Sequence, residues 1–152
     1  MALLPRRVRI PEGLRVLRDG TWQVGDEPVR HAPSLRYFKQ KLSFGDQGAF
    51  VEDRGRRVEV AVEGPPFVAT RIEFGETGEI VAHLDDGSRE LLEGDRALWI
   101  DPETGRFECR ARGGHSRALL SRGAHQAVLE RAEQEGGSFF LSVGGRRLKI
   151  AT

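Results

Sequence analysis

Three arginines and two flat rings are the residues best equipped for chemistry in this chain: Arg30, Arg36 and Arg117, with Trp22 and Tyr37. A guanidinium fork takes phosphate or carboxylate oxygens in pairs, and an aromatic face takes a planar base or another ring. Together they suit a small anionic ligand that carries a ring. A simpler reading competes: Trp22 fills the core, and the arginines are solvated or pair with the acidic segment 71–95. A second, weaker candidate is Gly113-Gly114-His115-Ser116, with Arg110, Arg112 and Arg117 close by. If a helix follows it, free backbone N–H groups and the positive dipole end would face an anion there. An ordinary connection with a capping serine explains the same residues.

Other chemistries lack their residues. No paired-histidine metal helix, cysteine cluster or glycine-rich phosphate loop is present. The four histidines, His31, His83, His115 and His125, are not spaced as metal ligands. His31 and His115 each precede an expected helix, a common place for a hydrogen-bonding side chain. Ser116 and Ser121 lie in no strained elbow. No metal or cofactor is therefore expected, and an enzyme is the least supported class.

The elements that would position these residues are marked by turns. Asp19-Gly20 joins Leu14–Leu17 to Thr21–Val24 as a hairpin. Trp22, directly after that turn, is expected to be partly exposed. Leu35, Phe38 and Leu42 share one stripe, which predicts a helix over 34–43 with Phe38 in the core and an end at Gly45–Gly48. Val58, Val60 and Val62 alternate as a strand with one wet face. Later hairpins follow at 67–74 with 79–84, at 96–100 with 106–112, and at 138–143 with 146–150. A second helix over 116–135 is expected, with Ser116 as N-cap and Leu120, Ala124, Ala127, Val128 and Ala132 as its stripe.

The segments 48–61 and 137–151 are similar once one extra glycine is allowed in the second turn. Each follows a helix, and each helix follows a hairpin with Asp and Gly at its turn. The order hairpin, helix, hairpin thus occurs twice, which predicts duplication, with 14–62 and 97–150 as related units. The fold class expected is α+β, with mostly antiparallel sheets and two principal helices. An N-terminal unit of 1–66 and a C-terminal unit of 67–152 are expected to pack together, with the ligand at the seam.

Composition is consistent with this. The chain has 152 residues, 38% apolar and 31% charged, with a net charge of +1, which argues against a protein built to grip nucleic acid. An acidic segment, eight Asp/Glu against two Arg in 71–95, lies between basic segments at 1–41 and 96–122. The single cysteine, Cys109, excludes an internal disulfide and suits a reducing compartment. With no apolar run of signal-peptide or membrane-spanning length, a cytoplasmic protein is expected.

Several of these residues resemble a known family. Asp19-Gly20-Thr21-Trp22, Gly25, Pro28-Val29-Arg30 and the helix Leu35-Arg36-Tyr37-Phe38 through Leu42 look like the opening of the bacterial domain of unknown function 1285 family. Val58-Glu59-Val60 with Val62-Glu63-Gly64-Pro65-Pro66-Phe67-Val68-Ala69 resembles its second signature, although Gly64 and Pro65 stand where the family usually has aspartate and alanine. Arg117–Glu130 is similar to its C-terminal arginine-bearing helix. Trp22 and Arg30 match motif positions, and Arg36 and Tyr37 lie in the matching helix. The resemblance implies a duplicated core, a C-terminal half like pleckstrin-homology domains, and a nucleotide-like ligand between the halves in a signalling role. It implies no established activity. The alternative is a protein-interaction module with no small ligand.

Overall fold

The computed structural model describes residues 9–152, which form two compact units divided between Pro66 and Phe67. Both are built mainly from antiparallel strands with one α-helix each, so the fold is α+β.

In unit 1, β1 (Leu14–Val16), β2 (Trp22–Val24) and β3 (Glu27–Pro28) form a meander, followed by α1 (Ala32–Lys41). A second meander follows: β4 (Leu42–Gly45), β5 (Gly48–Asp53) and β6 (Arg56–Val62). The sheet order is β3-β2-β1-β6-β5-β4, with β1 and β6 parallel and Leu14 opposite Val60. Phe38 on α1 and Leu14, Val16, Val51, Val58 and Val60 on the strands are buried. The alternation along β6 leaves Arg57 and Glu59 exposed on the other face.

Unit 2 opens with a meander of its own: β7 (Phe67–Phe74), β8 (Ile80–Leu84) and β9 (Arg89–Leu91). Then come β10 (Leu98–Ile100), β11 (Phe107–Ala111), β12 (Ser116–Leu120), α2 (Arg122–Arg131), β13 (Ala132–Glu135), β14 (Ser138–Val143) and β15 (Arg146–Ala151). The sheet order is β13-β14-β15-β10-β11-β12-β7-β8-β9. Read from β12 to β13, it repeats unit 1 strand for strand, down to the parallel pair β10–β15.

From the helix onward the duplication is in register without any insertion. Ala32 and Arg122 open the two helices, Leu42 and Ala132 the next strands, Gly48 and Ser138 the next, Arg56 and Arg146 the last. All four pairs are 90 residues apart. The extra glycine expected in the second turn is not needed: Gly136-Gly137 forms the preceding turn, between β13 and β14. The final turns match in backbone, with φ of 53° and 79° at Arg54-Gly55 and the same values at Gly144-Gly145. Two consecutive left-handed residues give the turn whose twist matches the flanking strands.

Both helices differ from expectation at their ends. α1 starts at Ala32 because His31 caps it: its Nδ1 accepts from the Ser34 amide at 3.3 Å. It stops at Lys41, since Leu42 turns extended and enters β4 directly. The larger difference lies at 116–121, a strand rather than the first turns of the second helix. Ser116–Leu120 pairs with β11 on one side and β7 on the other. Ser121 is the cap, its Oγ accepting from the Ala124 amide at 3.2 Å. Leu120 stands four residues before Ala124 and eight before Val128, so a strand residue mimicked the helical stripe.

Trp22 is not partly exposed. It is 2% exposed, and its indole Nε1 donates to the Pro66 carbonyl at 2.9 Å. Gly64 is also buried, close against the Leu17–Arg18 backbone. A Cβ built there would lie 2.2 Å from the Leu17 carbonyl oxygen and 2.4 Å from that of Arg18. This close approach excludes any side chain, including an aspartate.

Candidate functional site

Trp22, Arg30, Arg36 and Tyr37 belong to unit 1, and Arg117 belongs to unit 2. Arg30 is exposed just ahead of α1, and Arg36 is exposed on it. Tyr37 is half-buried beside Phe38, with the Lys41 Nζ 5.7 Å from its ring centre. Burial raises its phenol above the usual range, reinforced by a hydrogen bond to the Asp53 carboxylate and by that carboxylate's charge. Its hydroxyl is therefore tied to Asp53 of β5. Trp22, buried and hydrogen-bonded, presents no open face.

Arg117 lies on β12 rather than on a helix, and that placement gives it neighbours that sequence spacing did not reveal. Its strand neighbour β11 carries Glu108, which is 3% exposed and stands opposite Trp99 of β10. The Arg117 Nη1 is 3.4 Å from the Glu108 Oε1, within ion-pair distance but without hydrogen-bond geometry, and the guanidinium side chain is 40% exposed. Burial raises the Glu108 carboxyl above its usual range. Arg117 opposes the shift, whereas the charge of Asp101 and a hydrogen bond to it add to it, and a hydrogen bond with the Trp99 side chain works the other way. Burying a carboxylate without full pairing is costly, which is the cause of the upward shift. Phe107, Glu108 and Cys109 are all buried, so both faces of β11 are covered, and no local sequence signal marked Glu108 as buried.

The Gly113-Gly114 turn does not match its anion-binding expectation. It is a short 3₁₀ turn, Arg112–Gly114, linking β11 to β12, and no helix follows it. The Gly113 amide donates to the Glu90 Oε1 at 3.1 Å, so an internal carboxylate takes the N–H. The nearby arginines are also engaged. Arg110 Nε donates to the Glu90 Oε2 at 3.1 Å, and its other nitrogens reach the Leu91 and Glu93 carbonyls. Arg112 Nη2 donates to the buried Asp86 at 2.7 Å.

Unit 1 contains a groove of about 520 Å³ lined by Glu12, Gln47, Gly48, Arg57 and Glu59, among others. The Arg57 guanidinium stacks on the Phe50 ring at 3.5 Å from its centre. Among the described residues, no group of three His, Cys, Asp or Glu is placed to hold a metal ion. No helix among them is long and apolar enough to cross a membrane.

No protein-family model matches the sequence, and no curated protein matches it. Solved structures do. A domain of unknown function 1285 family protein from Silicibacter pomeroyi DSS-3 matches with a TM-score of 0.71 at 23% identity, over 92% of this chain and 80% of that one. A second protein of that family, from Shewanella baltica OS155, gives a TM-score of 0.60 at 13% identity, over 78% of this chain and 91% of that one. The chain therefore has the fold of these proteins, in agreement at that level with the resemblance read from its signatures.

Proposed function

We propose that the protein is a bacterial, cytoplasmic binding protein for a small anionic, nucleotide-like ligand, with a sensing rather than a catalytic role. The observation that supports this best is the half-exposed Arg117 beside the buried Glu108, with Trp99 alongside. Arg117 is the anion contact in this reading, and Glu108 is the positioning residue. Arg30 and Arg36, exposed around the start of α1, are cations of unit 1 and are tested separately. Catalysis has weaker support, because the single thiol, Cys109, is buried and pushed up to about 12 by burial and by the charges of Glu90 and Glu108. Such a thiol is not a nucleophile at neutral pH.

A thermal-shift screen against nucleotides and other anionic metabolites tests this reading. A ligand at one hundred times its dissociation constant should stabilise the fold by about 2.7 kcal/mol. Arg117→Glu should abolish that shift in a folded protein, and Arg36→Glu reports whether unit 1 contributes. Retained affinity in the folded Arg36→Glu, Arg117→Glu double variant would remove both residues from the site. A second reading rests on Leu129, which is 49% exposed on α2 and gives a partner protein an apolar contact. A stoichiometric partner that is lost on Leu129→Glu, with no anion shifting the melting point, would favour it.

A further inference from the structure

The in-register duplication permits a residue-by-residue comparison of the two outer sheet faces, and it isolates one difference. In unit 2, Arg147 of β15 stacks on Phe140 of β14 at 4.0 Å from the ring centre. Its Nη2 donates to the Glu135 carboxylate at 2.6 Å. Cation, ring and carboxylate form a closed set. In unit 1 the equivalent residues, 90 positions earlier, are Arg57, Phe50 and Gly45. The stack is kept at 3.5 Å, but a glycine stands in place of the carboxylate.

Gly45 is not required by its backbone, because its φ is not positive. Its lack of a side chain lets the Phe50 ring and the Arg57 guanidinium lie close against the backbone instead. A Cβ there would lie 3.2 Å from the Phe50 Cε1 and 3.4 Å from the Arg57 Nη2. Among the described residues no carboxylate pairs with Arg57, although Glu52 stands opposite it across the β5–β6 ladder. Unit 1 therefore presents a guanidinium pre-oriented on a ring, with its carboxylate partner left to come from outside.

The groove beside it specifies the rest of that partner. Besides Arg57 it is lined by Glu12 and Glu59, so its lining carries more negative than positive charge. A phosphate or other polyanion would meet repulsion there. Glu59 follows Arg57 by two residues on β6, so the two project from the same face, about 7 Å apart along the strand. One carboxylate acceptor and one cationic or donor group at that spacing describe a zwitterion. We infer that the groove of unit 1 binds a free amino acid, its carboxylate on the Arg57 fork and its ammonium group facing Glu59. This site is separate in residues and in ligand charge from the anion contact at Arg117.

The test is a titration of the isotopically labelled full chain with L-glutamine, sodium acetate and inorganic phosphate, followed by NMR. L-glutamine should move the Gly45, Gly48 and Ala49 amides and the Arg57 Nε–H signal. Acetate should bind at least about tenfold more weakly, and phosphate should leave these signals unmoved. Arg57→Gln should abolish the L-glutamine response. Gly45→Glu should abolish it too, by giving Arg57 the internal partner that Arg147 already has. Glu59→Gln should weaken L-glutamine without affecting acetate. Unfolding is monitored by the melting point of each variant, and Arg57→Gln and Gly45→Glu serve as independent routes to the same loss. A wild-type chain that does not respond to L-glutamine overturns the inference. So does an unchanged response in either folded variant, or a phosphate response at the same signals.

Discussion

Phe38 lies mid-stripe on α1 and is 3% exposed. Truncating a buried ring removes its transfer energy and leaves a cavity that the neighbours only partly fill. Phe38→Ala should therefore cost roughly 3–5 kcal/mol in denaturant unfolding. A loss near zero would mean that α1 does not depend on that face. Cys109 gives a chemical counterpart. Its buried thiol, at about 12, carries almost no thiolate at neutral pH. A thiol reagent should modify it only at the rate of unfolding, so modification should accelerate together with denaturant-induced opening. Fast labelling of the native protein would show that β11 opens locally. Phe38 was legible in the sequence because helical spacing reports burial. Glu108 was not, since nothing local marks a charged residue on a strand covered on both faces.

At the scale of the element, the link Gly64-Pro65-Pro66 shows how close packing sets composition. Gly64 lies against the backbone after β1, where a Cβ would overlap two carbonyl oxygens. Backbone cannot move aside as a flexible side chain can. Gly64→Ala should cost roughly 3 kcal/mol, the upper end of the usual overpacking penalty, measured as a lowered urea midpoint with an unchanged slope. A neutral substitution would mean that the link is free to shift. The same scale explains the misplaced start of the second helix. Periods of 2 and 3.6 coincide over short stretches, so Leu120 satisfied either pattern. Pairing with two neighbouring strands decided for β12, and the cap passed from Ser116 to Ser121.

For the whole molecule, two buried carboxyls pull stability in opposite directions with pH. At Asp86, burial pushes the carboxyl up, but hydrogen bonds from the Ser88 hydroxyl and amide and the ion pair with Arg112 outweigh it, so the folded value lies below the usual one. Its contribution is present above the usual aspartate range and is lost as pH falls through the folded value. Asp86→Asn should flatten the acid limb of the melting profile. Glu108 is raised, so the native state holds its proton where the unfolded chain has released it. Stability then falls as pH rises through the window above the usual glutamate range, and Glu108→Gln should remove that fall. An unchanged profile in either variant would show that the group does not titrate differently on folding. Turn residues, alternation and the similarity of 48–61 to 137–151 were enough for the sequence alone to determine an α+β, duplicated chain. These are local signals, carried by neighbours a few residues apart. Only the tertiary structure decided the 90-residue register, the burial of Trp22, the strand at Arg117 and its pairing with Glu108. It also decided that, among the described residues, no carboxylate pairs with Arg57 as Glu135 does with its counterpart Arg147. Each of these depends on which strands lie side by side, and that is fixed by hydrogen bonding between segments far apart in sequence, which local spacing does not encode.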